Sequence, residues 1–279
     1  MTRQPDLPLY GRDAAAALRR REACRLEADG EKFRLLLDAM RRREFRRLVD
    51  IGCGWGQLLA EVAAALPDVE LWGVDESPDR AREVAASCPA AKVVLCRADA
   101  LDLPDAHFDM AVTSQVLHEV RLFGRGGELV AVVGEIRRIL APGGQWLLLD
   151  HLDAGEGEVT VFLPAPAKDQ LAEFERTFRY APAAHESLQD GTVRIPRRCL
   201  QDFLTKAWSL GTAMEPIEMA ETHNVFRRKD TERLLAENGF AVECWQELAD
   251  IRADLARVGG RLLHGEPWRR KFLAVAARA

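Results

Sequence analysis

The chain has 279 residues, 48% hydrophobic and 30% charged, with a formal net charge of −5. Its length fits one large domain or a core with an attached subdomain, and that apolar share can fill a sizeable core. The acidic balance gives no electrostatic case for nucleic acid as a main partner. No run approaches the ~20 apolar residues of a membrane span, and Met1 to Asp6 lacks the apolar stretch of a leader, so a cytoplasmic protein without stable membrane insertion is expected. Cysteines 24, 53, 88, 96, 199 and 244 lie far apart with no CxxC, which reads as reduced thiols, with no metal-ligand spacing.

In chain order, Pro5, Pro8 and Gly11 predict an irregular start. Residues 13–28 are alanine- and arginine-rich, and Phe33, Leu36, Leu37 and Met40 recur at helical spacing. Residues 1–45 therefore read as an N-terminal helical cap. Arg47 to Ile51 predicts a first strand, running into Gly52, Gly54 and Gly56 and then a helix over Gln57 to Leu66. Glycine reaches backbone angles other residues avoid and lets a ligand approach the main chain. The helix start beyond it offers unpaired N–H groups, so this stretch predicts a cradle for a nucleotide-type ligand.

Glu70 to Asp75 is a second strand with an acid at its end. Ser77-Pro78 then starts a helix, Ser77 as N-cap and Pro78 in the first turn. Lys92 to Arg97 and His107 to Ser114 are the third and fourth strands. A helix over Glu128 to Leu140 stops at Pro142-Gly143-Gly144, and Gln145 to His151 is a fifth strand. Five strands alternating with helices predict an α/β fold with a parallel sheet covered on both faces. The alternation breaks over 152–225, which holds five prolines and only short helical patterns at Asp169 to Phe178 and Arg198 to Leu210. Long irregular inserts in compact folds are usually functional, and this one is expected to be a lid over the substrate. Regularity returns over 226–279: a helix ending at Gly239, a strand from Phe240 to Glu247, a helix from Glu247 to Leu263, and a strand from Trp268 to Ala277.

Five features in order carry a resemblance: Val49 to Gly56, Asp75, Ala98-Asp99-Ala100, Phe108-Asp109 through Leu117-His118-Glu119-Val120, and Ile139 to Gly144. With them the chain resembles the class I S-adenosylmethionine-dependent methyltransferases, the type 11 and UbiE-like small-molecule branch in particular. The resemblance covers residues 46–151 well and 226–279 in pattern. It implies a Rossmann-like seven-stranded, mostly parallel sheet with an antiparallel last strand, an N-terminal helical cap and an inserted helical lid. The cofactor-binding core would be 46–151, the lid 152–225 and the remainder of the core 226–279. The spacing GxGxG, unlike GxGxxG, argues against a nicotinamide cofactor.

The resemblance also implies roles. Gly52, Cys53, Gly54 and Gly56 would lie along the methionine and ribose portions of S-adenosylmethionine, with Asp50 orienting the loop or meeting the amino group. Asp75 would accept from the ribose hydroxyls. Glu76, Asp99 and the Ala100 amide would border adenine, and the Gln115 backbone would face the methionine carboxylate. His118, Glu119 and His151 are the candidate general bases, since an imidazole titrating near neutrality suits that task. Tyr10, Trp55 and His223 are candidate substrate contacts. The structural alternatives are plain: Asp75 as a helix cap, Cys53 as a small apolar core residue, Trp55 as a cover for the loop, and His118 as a cap or cofactor contact.

The activity implied is methyl transfer (EC 2.1.1.-) to a small organic acceptor at oxygen, carbon or nitrogen. No metal is called for, and a homodimer stays open. Two alternatives stand beside it. Ile51 to Gly56 is also similar to cyclopropane fatty acid synthases, although their cysteine- and tyrosine-containing stretch has no counterpart here. The fold also serves non-methylating cyclases and regulatory partners.

Overall fold

The computed structural model describes residues 32–124 and 128–279. Tyr10, the helix expected over 13–28 and most of the cap lie outside the described residues. Within them, residues 32–40 are helical (α1). The core follows as β1 (Arg47–Ile51), α2 (Gln57–Ala65), β2 (Glu70–Asp75), α3 (Pro78–Ser87), β3 (Ala91–Leu95), β4 (Phe108–Ser114), α4 (Leu117–Phe123), α5 (Glu128–Ile139) and β5 (Leu140–His151). Next come β6 (Glu158–Phe162), α6 (Ala165–Thr177), β7 (Glu186–Ser187), β8 (Val193–Pro196), α7 (Arg197–Lys206) and α8 (Glu215–Glu218). The chain closes with α9 (Arg228–Glu237), β9 (Phe240–Asp250), α10 (Ile251–Arg257), β10 (Arg261–His264) and β11 (Arg269–Arg278).

The main sheet has the order β3-β2-β1-β4-β5-β11-β9. Its first five strands run parallel, and β11 is antiparallel to both β5 and β9. This is the seven-stranded, mostly parallel sheet expected. Successive strand residues point to opposite faces, so near-continuous apolar strands feed two cores at once. On β5, Trp146 and Leu148 join the core beneath α5 and α9, while Leu147 and Leu149 join the core with α1 and α2. The carboxyl ends of β1, β2, β4 and β5 consequently meet at one edge, carrying Ile51, Asp75, Ser114 and His151.

Three local expectations differ. Strand β5 starts at Leu140, because Leu140 pairs with Phe108 before Ala141 to Gly144 bulge out and Gln145 resumes pairing opposite Met110. Helix α4, too short for a periodic signal, was not expected. The stretch from Glu247 to Leu263, expected as one helix, divides into the end of β9, α10 and β10. Asp250 caps α10 by accepting the Arg252 N–H, and Gly259-Gly260 ends it.

The insert is more than helices. It builds a second, antiparallel sheet ordered β10-β6-β8-β7, whose β10 comes from the C-terminal stretch. Val159, Val161, Val193 and Ile195 face Phe174, Leu200 and Phe203 of α6 and α7 in a core of their own, to which Ile251 and Leu255 of α10 also belong. Gln201 ties the insert to the main fold: its amide donates to the carbonyls of Leu152 (2.7 Å) and His223 (2.9 Å) and accepts from Trp268 (2.8 Å).

Candidate active site

The glycine loop folds as it does because Gly52 and Gly56 adopt φ of +72° and +79°. A Cβ on Gly52 would lie 2.4 Å from Val116 Cγ2, so the loop is packed too closely for any side chain there. The amides of Gly52 and Cys53 donate to the Val74 carbonyl, which fixes the loop against β2. Asp75 completes the clasp: its carboxylate accepts the Gly54 N–H (3.0 Å) and the Ser77 N–H (2.9 Å), and Arg80 Nη1 lies 3.7 Å away. Ser77 in turn accepts the Arg80 N–H at the start of α3, as its sequence position predicts.

Above the loop lies a cleft of about 220 Å³. Among the expected site residues, Asp50, Gly52, Cys53, Gly54, Trp55, Gln115, His118, Glu119, His151 and His223 all line it. The structure thus brings together ten positions spread over 174 residues. Gly56, Asp75, Glu76, Asp99 and Ala100 do not line this cleft. Glu76 and Ala100 are exposed. Asp99 is held in a bidentate pair with Arg97, both contacts 2.9 Å. Trp55 is buried against Met214, with Trp208 and Ile217 alongside, so the insert closes onto the loop.

The far wall is polar and buried. Gln115 takes a left-handed conformation (φ +59°), turning the chain from β4 toward α4. Its amide Nε2 lies 2.9 Å from His151 Nε2. His118 Nδ1 donates to Asp150 Oδ1 (2.8 Å), and the His118 amide donates to Asp150 Oδ2 (3.2 Å). His223 arrives from the insert because Phe226 pairs alongside Leu152 and because Asp202 accepts the His223 N–H at 2.7 Å. The His151 and His223 rings stack with centroids 3.9 Å apart, and His118 meets both edge-on at 4.8 and 5.6 Å. Beneath them Lys206, fully buried, bonds Glu221 (3.1 Å) and Glu218 (3.3 Å).

The electrostatics follow from burial and pairing. Burial pushes the Asp50 carboxyl up to about 7, opposed by the Lys32 ammonium and reinforced by the Asp75 charge. Burial works against a charged His118, but Asp150 outweighs it and raises the imidazole to about 9. His151 and His223 are pushed well below the ordinary imidazole value, by burial first and then by neighbouring positive charge, and stay neutral. Burial raises the Cys53 thiol, so it packs as a protonated apolar group. Lys32, Arg80, Asp150, Lys206, Glu218 and Glu221 were not anticipated. Only Asp150 carried a sequence signal, as the acid directly before a candidate histidine at a strand end.

A sheet in this order, with a glycine loop after β1 and an acid closing β2 beside a cleft, defines the class I S-adenosylmethionine-dependent methyltransferase fold. Residues 49–146 match the family described as a methyltransferase domain. Those residues therefore match a methyltransferase domain, set in a fold of the class I type, and the cofactor of that class is S-adenosylmethionine. "Uncharacterized methyltransferase sll0829" of Synechocystis sp. is 30% identical over 105 residues, 38% of this chain and 47% of the relative. "O-methyltransferase rstn1" of Aspergillus nomiae is 31% identical over 144 residues, 49% and 57% of the two chains. The crystal structure of an S-adenosylmethionine-dependent methyltransferase from Mesorhizobium loti superposes with a TM-score of 0.53 at 19% identity, covering 90% of this chain and 98% of that one. The chain spans 32% to 57% of the length of the curated relatives it matches. No helix among the described residues is long and apolar enough to cross a membrane.

Proposed function

We propose that the chain transfers a methyl group from S-adenosylmethionine to a small-molecule acceptor. The observation that carries this is the cleft itself: a glycine loop clasped by Asp75 on one side, and a polar wall closed by the insert on the other. The donor set suits a cofactor with a cationic sulfonium and a methionine carboxylate, since Asp50, Glu119, Glu218 and Glu221 line the cleft together with Lys32 and Arg80. Gly54 leaves open space where a side chain would stand. Bound there, the cofactor supplies an electrophilic methyl group on a sulfonium.

The chain's own residues do the rest. Gly52 to Gly56 and Asp50 would hold the methionine portion and Asp75, beside the cleft, the ribose; Glu76 and Asp99 lie outside the cleft and would meet adenine only where it extends beyond it. Trp55 and the insert exclude water and hold the acceptor close, and alignment in a dry site contributes most of the rate. His118, fixed through Nδ1 by Asp150, keeps Nε2 to hold or take a proton from the acceptor. An acceptor with an oxygen nucleophile is favoured by the likeness to the Aspergillus O-methyltransferase. A cytoplasmic protein acting on a small molecule, and not on nucleic acid, fits the acidic balance.

Calorimetry with S-adenosylmethionine and S-adenosylhomocysteine tests the cofactor, with micromolar binding expected. No heat at millimolar cofactor refutes the proposal. Release of S-adenosylhomocysteine across an acceptor panel then separates a transferase from a repurposed fold.

A further inference from the structure

Three imidazoles from three separate segments converge in the cleft. His118 comes from α4, His151 from the end of β5 and His223 from the insert, and one ring nitrogen of each lies within 4.8 Å of the others. All three side chains are buried, at 2% to 4% relative exposure. Each ring has one nitrogen engaged by a neighbour. For His118 it is Nδ1 with Asp150 (2.8 Å), for His151 Nε2 with Gln115 (2.9 Å), and for His223 Nε2 with Glu221 (3.6 Å). Among the described residues, the Nδ1 atoms of His151 and His223 are buried with no hydrogen-bond partner. A buried polar atom left unpaired is costly, and two of them in one wall of one cleft call for a common ligand.

We infer that His118, His151 and His223 form a binding site for a divalent transition-metal cation, with the remaining coordination position open to the cleft. Three imidazoles and one open position form a known ligand set for a catalytic zinc ion; the ion would displace the proton that Asp150 favours on His118, whose Nε2 is then a ligand and not the base. Carboxylates on the outer nitrogens, as at His118 and His223, are what orient metal-ligating imidazoles, and Gln115 would serve His151 in the same way with its amide oxygen turned to the ring. Ligand nitrogens around a tetrahedral ion at ~2.05 Å stand roughly 3.3 Å apart, and the His151 and His223 rings stack at 6°, so loading requires the three nitrogens to draw together and one of these two rings to turn out of the stack. The charge balance agrees. Asp150, Glu218 and Glu221 bring three carboxylates to this buried wall, facing the Lys206 ammonium and the His118 imidazole, whose proton the ion would displace. Sequence spacing could not show the site, because its ligands stand 33 and 72 residues apart.

This rests on and deepens the proposed reading, because it names the acceptor class. The open position lies in the same cleft as the glycine loop, so the cation would take an oxygen of the acceptor and hold it toward the methyl donor. The acceptors implied carry a hydroxyl, enol or carbonyl oxygen able to ligate a metal.

The test uses the full chain, purified without a histidine tag, stripped with chelator and titrated with zinc chloride. Calorimetry and elemental analysis should give one zinc per chain with Kd below about 1 μM, and the melting temperature should rise on loading. His118→Asn and His223→Asn should each weaken zinc at least tenfold while keeping S-adenosylhomocysteine affinity within about threefold. Asp150→Asn, which leaves the ligands in place, should weaken zinc by roughly 10- to 100-fold. Substoichiometric zinc in the loaded parent overturns the inference. So does unchanged zinc in both histidine variants, which would mean that cysteines hold it. Failure of zinc binding with cofactor binding intact sinks the metal site alone. Failure of cofactor binding in the parent sinks the methyltransferase reading whether or not zinc binds.

Discussion

Asp50→Asn separates stability from function at one atom. Asp50 is the last residue but one of β1 before the glycine loop and is 3% exposed. Burial raises its carboxyl from 3.8 to about 7. A value raised in the folded state means that folding favours the protonated form. That stability is fully present below 3.8 and is lost as pH rises through about 7. At 1.36 kcal/mol per unit, the ionised carboxylate costs the fold a ceiling of about 4 kcal/mol at pH 8 and about 1.7 kcal/mol at pH 5.

The neutral amide of Asn removes this cost but has its own bonds to satisfy, so about half the ceiling, ~2 kcal/mol at pH 8, is expected. A chain of this size unfolds with an entropy of about 0.6 kcal/mol/K, which converts that gain to roughly 3 °C. Thermal unfolding of the apo variant should therefore exceed the parent by about 3 °C at pH 8, and the gap should narrow to about 1 °C at pH 5. Cofactor affinity should move the other way, falling roughly 10- to 100-fold as the charged partner of the methionine ammonium is lost. A variant no more stable than the parent at pH 8, with no pH trend, would refute the placing of a desolvated carboxyl there. Unchanged cofactor affinity would refute its role.

Three further outcomes follow from the same geometry. Gly52→Ala forces a Cβ onto Val116 at φ +72°, so stability should drop by about 1–3 kcal/mol and cofactor binding at least tenfold, read by unfolding and calorimetry. Asp75→Asn keeps the shape but removes the charge that accepts the Gly54 amide of the loop and the Ser77 amide before α3, and should raise the cofactor Kd about tenfold or more. An unchanged Kd would mean that the ribose lies elsewhere. Lys206→Met leaves Glu218 and Glu221 without their buried counter-charge, so the melting temperature should fall by roughly 5–8 °C, from a cost of about 3–5 kcal/mol. A fall of less than 1 °C would show that the cluster is better hydrated than its burial implies.

Local chemistry made much of the core legible in the sequence. Alternating apolar strands, the Ser77-Pro78 start and the glycine stops are properties of short stretches, and they placed the strands of the main sheet within a few residues. The loop from Gly52 to Gly56 and the acid at Asp75 are local too, because a left-handed turn and a strand-end carboxylate need only their own neighbours. Side-chain meetings across the chain are different. Asp150 reaches His118, Glu221 reaches Lys206, and His223 stacks on His151 only because β4, β5 and the insert converge at one sheet edge. The second sheet was hidden for the same reason: β6 has its antiparallel partner β10 a hundred residues downstream. Periodicity reports which face of an element is buried, not what it is buried against. The sequence alone therefore determined the fold class and the glycine loop. The tertiary structure decided the polar wall opposite that loop, because the wall is built from residues whose proximity is set by chain crossings and not by spacing.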